Sequence, residues 1–146
     1  FLIKQMFQMY LQNTTTTSVT NNTGTYVSSG VVATITPSST SSRIYVLANL
    51  NIRLSSNSGH IEQSYRIDRN GTTVFTVTNM MNVNAIVDEG LQQPIMYIDS
   101  PSTTSAVTYT IYFATVATAG PYGGSIVNPV ISGTTTSSIQ LLEIAG

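Results

Sequence analysis

The stretch RIYVLANLNIRL, Arg43 to Leu54, decides the fold. Its even positions, Ile44, Val46, Ala48, Leu50, Ile52 and Leu54, are all apolar. Its odd positions carry Tyr45, Leu47, Asn49, Asn51 and Arg53. A period of two held this long is a β-strand with one face in a core. A helix is the weaker reading, because Asn49 and Asn51 would fall on the stripe that a helical core needs apolar.

Outward from this strand, the same chemistry recurs. AVTYTIYFATVA, Ala106 to Ala117, puts Val107, Tyr109, Ile111 and Phe113 on one face. His60 to Arg69 alternates Ile61, Tyr65 and Ile67 with polar residues. Asn70-Gly71 follows it, a strong hairpin signal, and TTVFTVT (Thr72 to Thr78) returns antiparallel. Tyr26 to Thr36, Ser125 to Ile131 and Ile139 to Ile144 read as further strands. Lys4 to Leu11 reads as an opening strand, and Asn13 to Thr25 as a polar loop or edge segment. Asn79 to Asp88 is ambiguous. Glu89-Gly90 ends it, and Gln92 to Ile98 reads as a short strand that Pro94 confines to a start or an edge. Roughly eight or nine strands with regular turns predict an all-β antiparallel sandwich, jelly-roll-like, with no βαβ unit.

Composition agrees. The chain has 146 residues, enough for one domain, and residues 1–146 are expected to form a single sandwich. Charged residues make up 8%, so Ser, Thr, Asn and Gln carry the polarity. The net charge of −1 and the abundant β-branched residues argue against disorder. The basic residues Lys4, Arg43, Arg53, Arg66 and Arg69 form no phosphate-neutralising stripe, which argues against nucleic-acid binding. No apolar run nears the length of a spanning helix. Phe1-Leu2-Ile3 before Lys4 has the wrong order for a secretory leader. The absence of an initial Met suggests a piece of a longer polypeptide or a processed product. Cysteine is absent, which excludes disulfides and thiolate metal sites.

Two blocks break the strands: Pro37 followed by Ser38-Ser39-Thr40-Ser41-Ser42, and Ser100-Pro101-Ser102-Thr103-Thr104-Ser105. Proline removes a donor and stops a strand, and short hydroxyl side chains bond nearby backbone in tight turns. They read as connections between strands more readily than as receptor-contact loops.

Candidate chemistry is sparse. His60 and Glu62 share a strand face, a pattern that favours surface or subunit-interface pairing over a metal site, since no second His exists. Asp88-Glu89 before Gly90 suits a capped turn better than a calcium loop. Nucleophile-elbow, P-loop and dinucleotide motifs are missing, so no enzyme activity, catalytic residue, metal or cofactor is expected. Tyr122, in the loop Gly120-Pro121-Tyr122-Gly123-Gly124, is the one candidate ligand contact, for a glycan. Glycosylation-type triplets at Asn13, Asn21 and Asn70 are expected by chance in so Asn- and Thr-rich a chain.

Four segments carry a resemblance: ATITPSSTSSRIYVLANL, RIDRNGTTVF, YIDSPSTTSAVTYTIYFAT and the closing SSIQLLEIAG. Together they resemble a module in structural proteins of tailed bacteriophages, often marine or cyanobacterial. The likeness covers Val31 to Gly146, and Phe1 to Gly30 fits the family's opening strand and loop more loosely. The resemblance implies a trimer-forming β-sandwich on a tail fibre, tail or capsid surface, located in the virion and contacting other virion proteins or host glycans. It supplies no catalytic residue. Tyr45, Leu47 and Tyr112, on the second faces of their strands, would be apolar surface for a homotrimer to hide. A stand-alone carbohydrate-binding module is the alternative.

Overall fold

The structure is a computed structural model; it describes residues 7–56, 60–84, 87–117, 124–127 and 136–146. Ten strands fill it: β1 (Phe7–Thr15), β2 (Val19–Asn21), β3 (Val27–Ile35), β4 (Arg43–Ser56), β5 (His60–Arg69), β6 (Thr72–Asn84), β7 (Val87–Asp99), β8 (Val107–Ala117), β9 (Gly124–Val127) and β10 (Ser137–Ile144).

β4 is the organising strand, as its periodicity requires. One of its edges pairs with β7 from Ile44 to Ser56. Its other edge pairs with β10 over Arg43 to Asn49 and with β9 over Ile52 to Ser55. β1 then adds to β10, and β2 to β9. Thus β9 and β10 lie end to end in one row, and so do β1 and β2. The second sheet has the order β3-β8-β5-β6.

Numbered by rows along the chain, the first sheet runs 1-8-3-6 and the second 2-7-4-5. Each row therefore pairs with the one that completes nine. This is a long hairpin rolled up on itself, the jelly roll. The expected all-β antiparallel sandwich is what forms.

The core lies between the sheets. Ile44, Val46, Ala48, Leu50, Ile52 and Leu54 are all buried, facing Val107, Tyr109, Ile111 and Phe113 of β8. Asn70 (φ 49) and Gly71 (φ 82) form the expected β5–β6 turn, both in the left-handed region that such hairpins need.

One reading of the sequence needs correction, and three strands run longer than expected. Asp88, Glu89 and Gly90 form no turn: they lie within β7, opposite Ser55, Leu54 and Arg53. β7 continues through Pro94, opposite Asn49. Among the described strands it pairs with β4 alone. The Asn51 N–H points to Ser137 of β10, so Asn49, two residues away, and its partner Pro94 make no ladder bond across β4–β7, and the proline's missing N–H costs none. The ambiguous segment after Thr78 extends β6 to Asn84. The opening strand likewise runs further than expected, into the polar block as far as Thr15.

Candidate functional site

One end of the sandwich gathers the β3–β4 loop, the β5–β6 turn, the β7–β8 loop and the end of β10. Here the hydroxyl block finds its partner 105 residues away. Glu143 of β10 takes a place in the buried row after Ile139 and Leu141, and is 2% exposed. Its Oε1 accepts the Ser38 N–H and the Ser38 hydroxyl, both at 2.7 Å. Burial alone would raise the pKa of this carboxyl, but the dipoles of Ser42 and Ser38 prevail and hold it below the ordinary 4.5. Ser42 Oγ, itself buried, acts without a hydrogen bond of ordinary geometry. Gly146 approaches the Ser41 carbonyl so closely that a Cβ there would collide with it.

The second block has a parallel arrangement. Asp99, just before it, is buried. It accepts Arg69 Nη1 and the Tyr109 hydroxyl, each at 2.7 Å. Burial raises the Tyr109 pKa far above the usual phenol range, and the bond to Asp99 raises it further. Burial does the same to Tyr65, whose hydroxyl donates to Gln63 Oε1. Both phenols stay protonated near neutral pH, and the two bonds to Asp99 tie the end of β7 to β5 and β8.

The outer face of the second sheet is closed in a different way. The Arg66 guanidinium lies 4.8 Å from the Tyr26 ring centre and 4.6 Å from that of Tyr112. Asp68 holds it side-on, with a hydrogen bond from Nη2 at 3.0 Å and an ion-pair contact to Nε at 2.9 Å. The arrangement pins Tyr26 to the sheet.

The outer face of the first sheet is unlike the rest. Its rows read Leu142–Tyr45–Ile98, then Gln140–Leu47–Met96, then Ser138–Asn49–Pro94, across β10, β4 and β7. No charged side chain stands in these rows. Met96 is 63% exposed and Ile98 45%. Beside them, Tyr45, Leu47, Leu142 and Ile144 enclose an apolar hollow of about 290 Å³. A second hollow of about 170 Å³ opens around Leu47, Asn49, Pro94 and Gln140.

The expected sites fare differently. Tyr45 and Leu47 belong to this apolar face, but Tyr112 does not: it lies on the opposite sheet, against Arg66. The three therefore form no common patch. His60 and Glu62 share β5, opposite Asn84 and Asn82. Among the described residues, no three His, Cys, Asp or Glu side chains gather as a metal site. Tyr122 lies outside the described residues. Asn21 is buried and its amide donates to the carbonyls of Thr25 and Phe113, which occupies it structurally. Met96 and Ile98 were not among the sequence candidates, though their alternation with Ile95 and Tyr97 is visible in the string.

An all-antiparallel jelly roll with one outer face whose central rows carry no charge is thus the class defined. No protein-family description and no curated protein match the sequence. Solved structures do match. A structure of the Gx strain of infectious bursal disease virus has TM-score 0.55 at 15% identity, over 96% of this chain and 33% of that one. A mutant VP2 protein of the same virus, from T=1 particles, gives TM-score 0.50 at 14% identity, over 95% and 41%. The Gt strain gives TM-score 0.50 at 14% identity, over 96% and 39%. The likeness is one of fold, and this chain spans about a third to two-fifths of the chains it matches.

Proposed function

We propose that this chain is a structural domain of a virus particle, acting by assembly and without catalysis. The observation that carries the reading is the jelly-roll row order, with an outer face on the β4 sheet whose central rows carry no charge and expose Met96 and Ile98. Such faces on folded proteins mark interaction surfaces. Fold likeness to particles of infectious bursal disease virus supports a virion setting. The sequence resemblance narrows this to a tailed-phage fibre, tail or capsid-surface module, assembled as a homotrimer and touching host glycans through loops such as that of Tyr122.

The test is peptide mass spectrometry and cryo-electron microscopy of purified particles from the chain's source. The expected result is this sequence at symmetric positions on the particle. Its absence from particles that assemble normally overturns the reading. Native mass spectrometry of the isolated chain tests the trimer, and a glycan array with Tyr122→Ala tests host contact.

A further inference from the structure

We infer that Asn70–Gly71 is a self-modification site, where water turns a side-chain amide into a carboxylate without an enzyme, and that two bonds to Thr108 hold it closed in the folded chain. The inference stands apart from the particle reading and does not rest on it.

The chemistry needs an asparagine whose side chain the next backbone nitrogen can reach, with room for that nitrogen to swing. Asn70–Gly71 is the one Asn-Gly pair in the sequence. The Gly71 nitrogen attacks Asn70 Cγ and gives up its proton. A five-membered imide closes, the bond from Cγ to Nδ2 breaks, and ammonia departs. Water then opens the ring at either carbonyl. The product is aspartate, or its isomer linked through the side-chain carbonyl. No oxidant, reductant or cofactor enters. Glycine has no Cβ to hinder the closure. A Cβ built on Gly71 would meet nothing within 4 Å, so the space around it is open. Asn70 is exposed, and among the described residues its amide nitrogen has no hydrogen-bond partner. The amide nitrogens of Asn13 and Asn21, by contrast, donate to backbone carbonyls.

What restrains the reaction is the pairing with β8. The Asn70 N–H donates to the Thr108 carbonyl at 2.9 Å, and the Thr108 N–H donates to Asn70 Oδ1 at 2.8 Å. The side-chain carbonyl thus stands in for a backbone one. It carries the β5–β8 ladder one step beyond the Arg69–Tyr109 pair. Backbone (φ 49) and side chain are both held, so Cγ is not free to turn towards the Gly71 nitrogen. Closure of the imide draws on the state in which this end of the ladder has opened, and its rate follows the population of that state. The neighbouring Tyr109, bonded to Asp99, helps to keep that population low. Conversion is one-way. The isomer adds a methylene to the backbone of a two-residue turn, which can no longer match the flanking strands. The site therefore records each opening at the hydroxyl-rich end of the sandwich as a permanent negative charge.

The experiment compares the whole chain, its Tyr109→Phe variant and the free peptide from Asp68 to Val74, all in warm, mildly alkaline buffer. Mass spectrometry reads the exchange of an amide for an acid and places it at Asn70. An isoaspartyl-specific methyltransferase counts the isomer, and circular dichroism checks that the variant is folded. Asn70 in the whole chain is expected to convert at least tenfold more slowly than in the peptide. In Tyr109→Phe it is expected to convert several-fold faster than in the wild-type chain, although the residues from 68 to 74 are unchanged. A whole chain that converts as fast as the peptide overturns the inference. A Tyr109→Phe rate no higher than the wild-type rate also overturns it.

Discussion

Replacing Glu143 by Gln tests the tie between the last strand and the first hydroxyl loop. Glutamine keeps the shape and an acceptor oxygen but removes the charge. In the native chain that oxygen accepts two hydrogen bonds at 2.7 Å from Ser38. Bonds to a charged acceptor contribute roughly 1.5–3 kcal/mol each, and neutral ones about 0.5–1.5. Weakening both amounts to about 2–3 kcal/mol. Relief from burying a charge offsets part of this, leaving a net loss of ~1–2 kcal/mol at pH 7. For a chain of this size the thermal midpoint falls by roughly 3–8 °C. The assay is urea unfolding followed by circular dichroism, for both proteins, from pH 7 to pH 2.5. Because the folded carboxyl titrates below its ordinary 4.5, its contribution is complete above that value. It is lost as pH falls through the folded pKa, so the two stability curves should converge at the acid end. No gap at pH 7, or a gap constant across the series, would refute the reasoning.

Three further outcomes are expected. Tyr109→Phe removes one of the two donors to buried Asp99 and should lower stability by about 1–2 kcal/mol, read from the urea midpoint; an unchanged midpoint contradicts the network. Gly71→Ala meets no atom within 4 Å, so its loss of ~1–2 kcal/mol is backbone strain alone at φ +82, and Gly71→Asn should recover most of it in thermal melts. Leu50→Ala empties the middle of the core and should cost about 2–5 kcal/mol, whereas Met96→Ala on the outer face should leave the melting temperature within about a degree or two.

The fold was legible because β4, β5 and β8 keep strict alternation, and because Asn70-Gly71 names its own turn. β7 was read as short because Gly90 and Pro94 are breakers in isolation. On an edge strand neither costs a ladder bond, and edge status is decided by the other strands. The apolar outer face was half legible for the same reason. Period two tells that Tyr45, Leu47 and Tyr112 point away from the core. It does not tell which of two sheets each belongs to, and Tyr112 belongs to the other. Met96 and Ile98 become neighbours of Leu47 and Tyr45 only through the β4–β7 register. The Glu143–Ser38 tie had no local signal, since its partners stand 105 residues apart.

The position of β10 bears on how the chain comes to be folded. It is the last of the described strands in sequence, yet it fills the slot between β1 and β4. Among the described strands, β1 has no other ladder partner. A ribosome that has made β1 to β9 has therefore made a first sheet with a gap, an unpaired opening strand and an unclosed core. Pairing across most of the chain length is slow, because loop closure precedes any reward. The early segments must wait, exposed to one another and to other chains, until β10 has been made. While β10 is still unmade, correct closure competes with premature association.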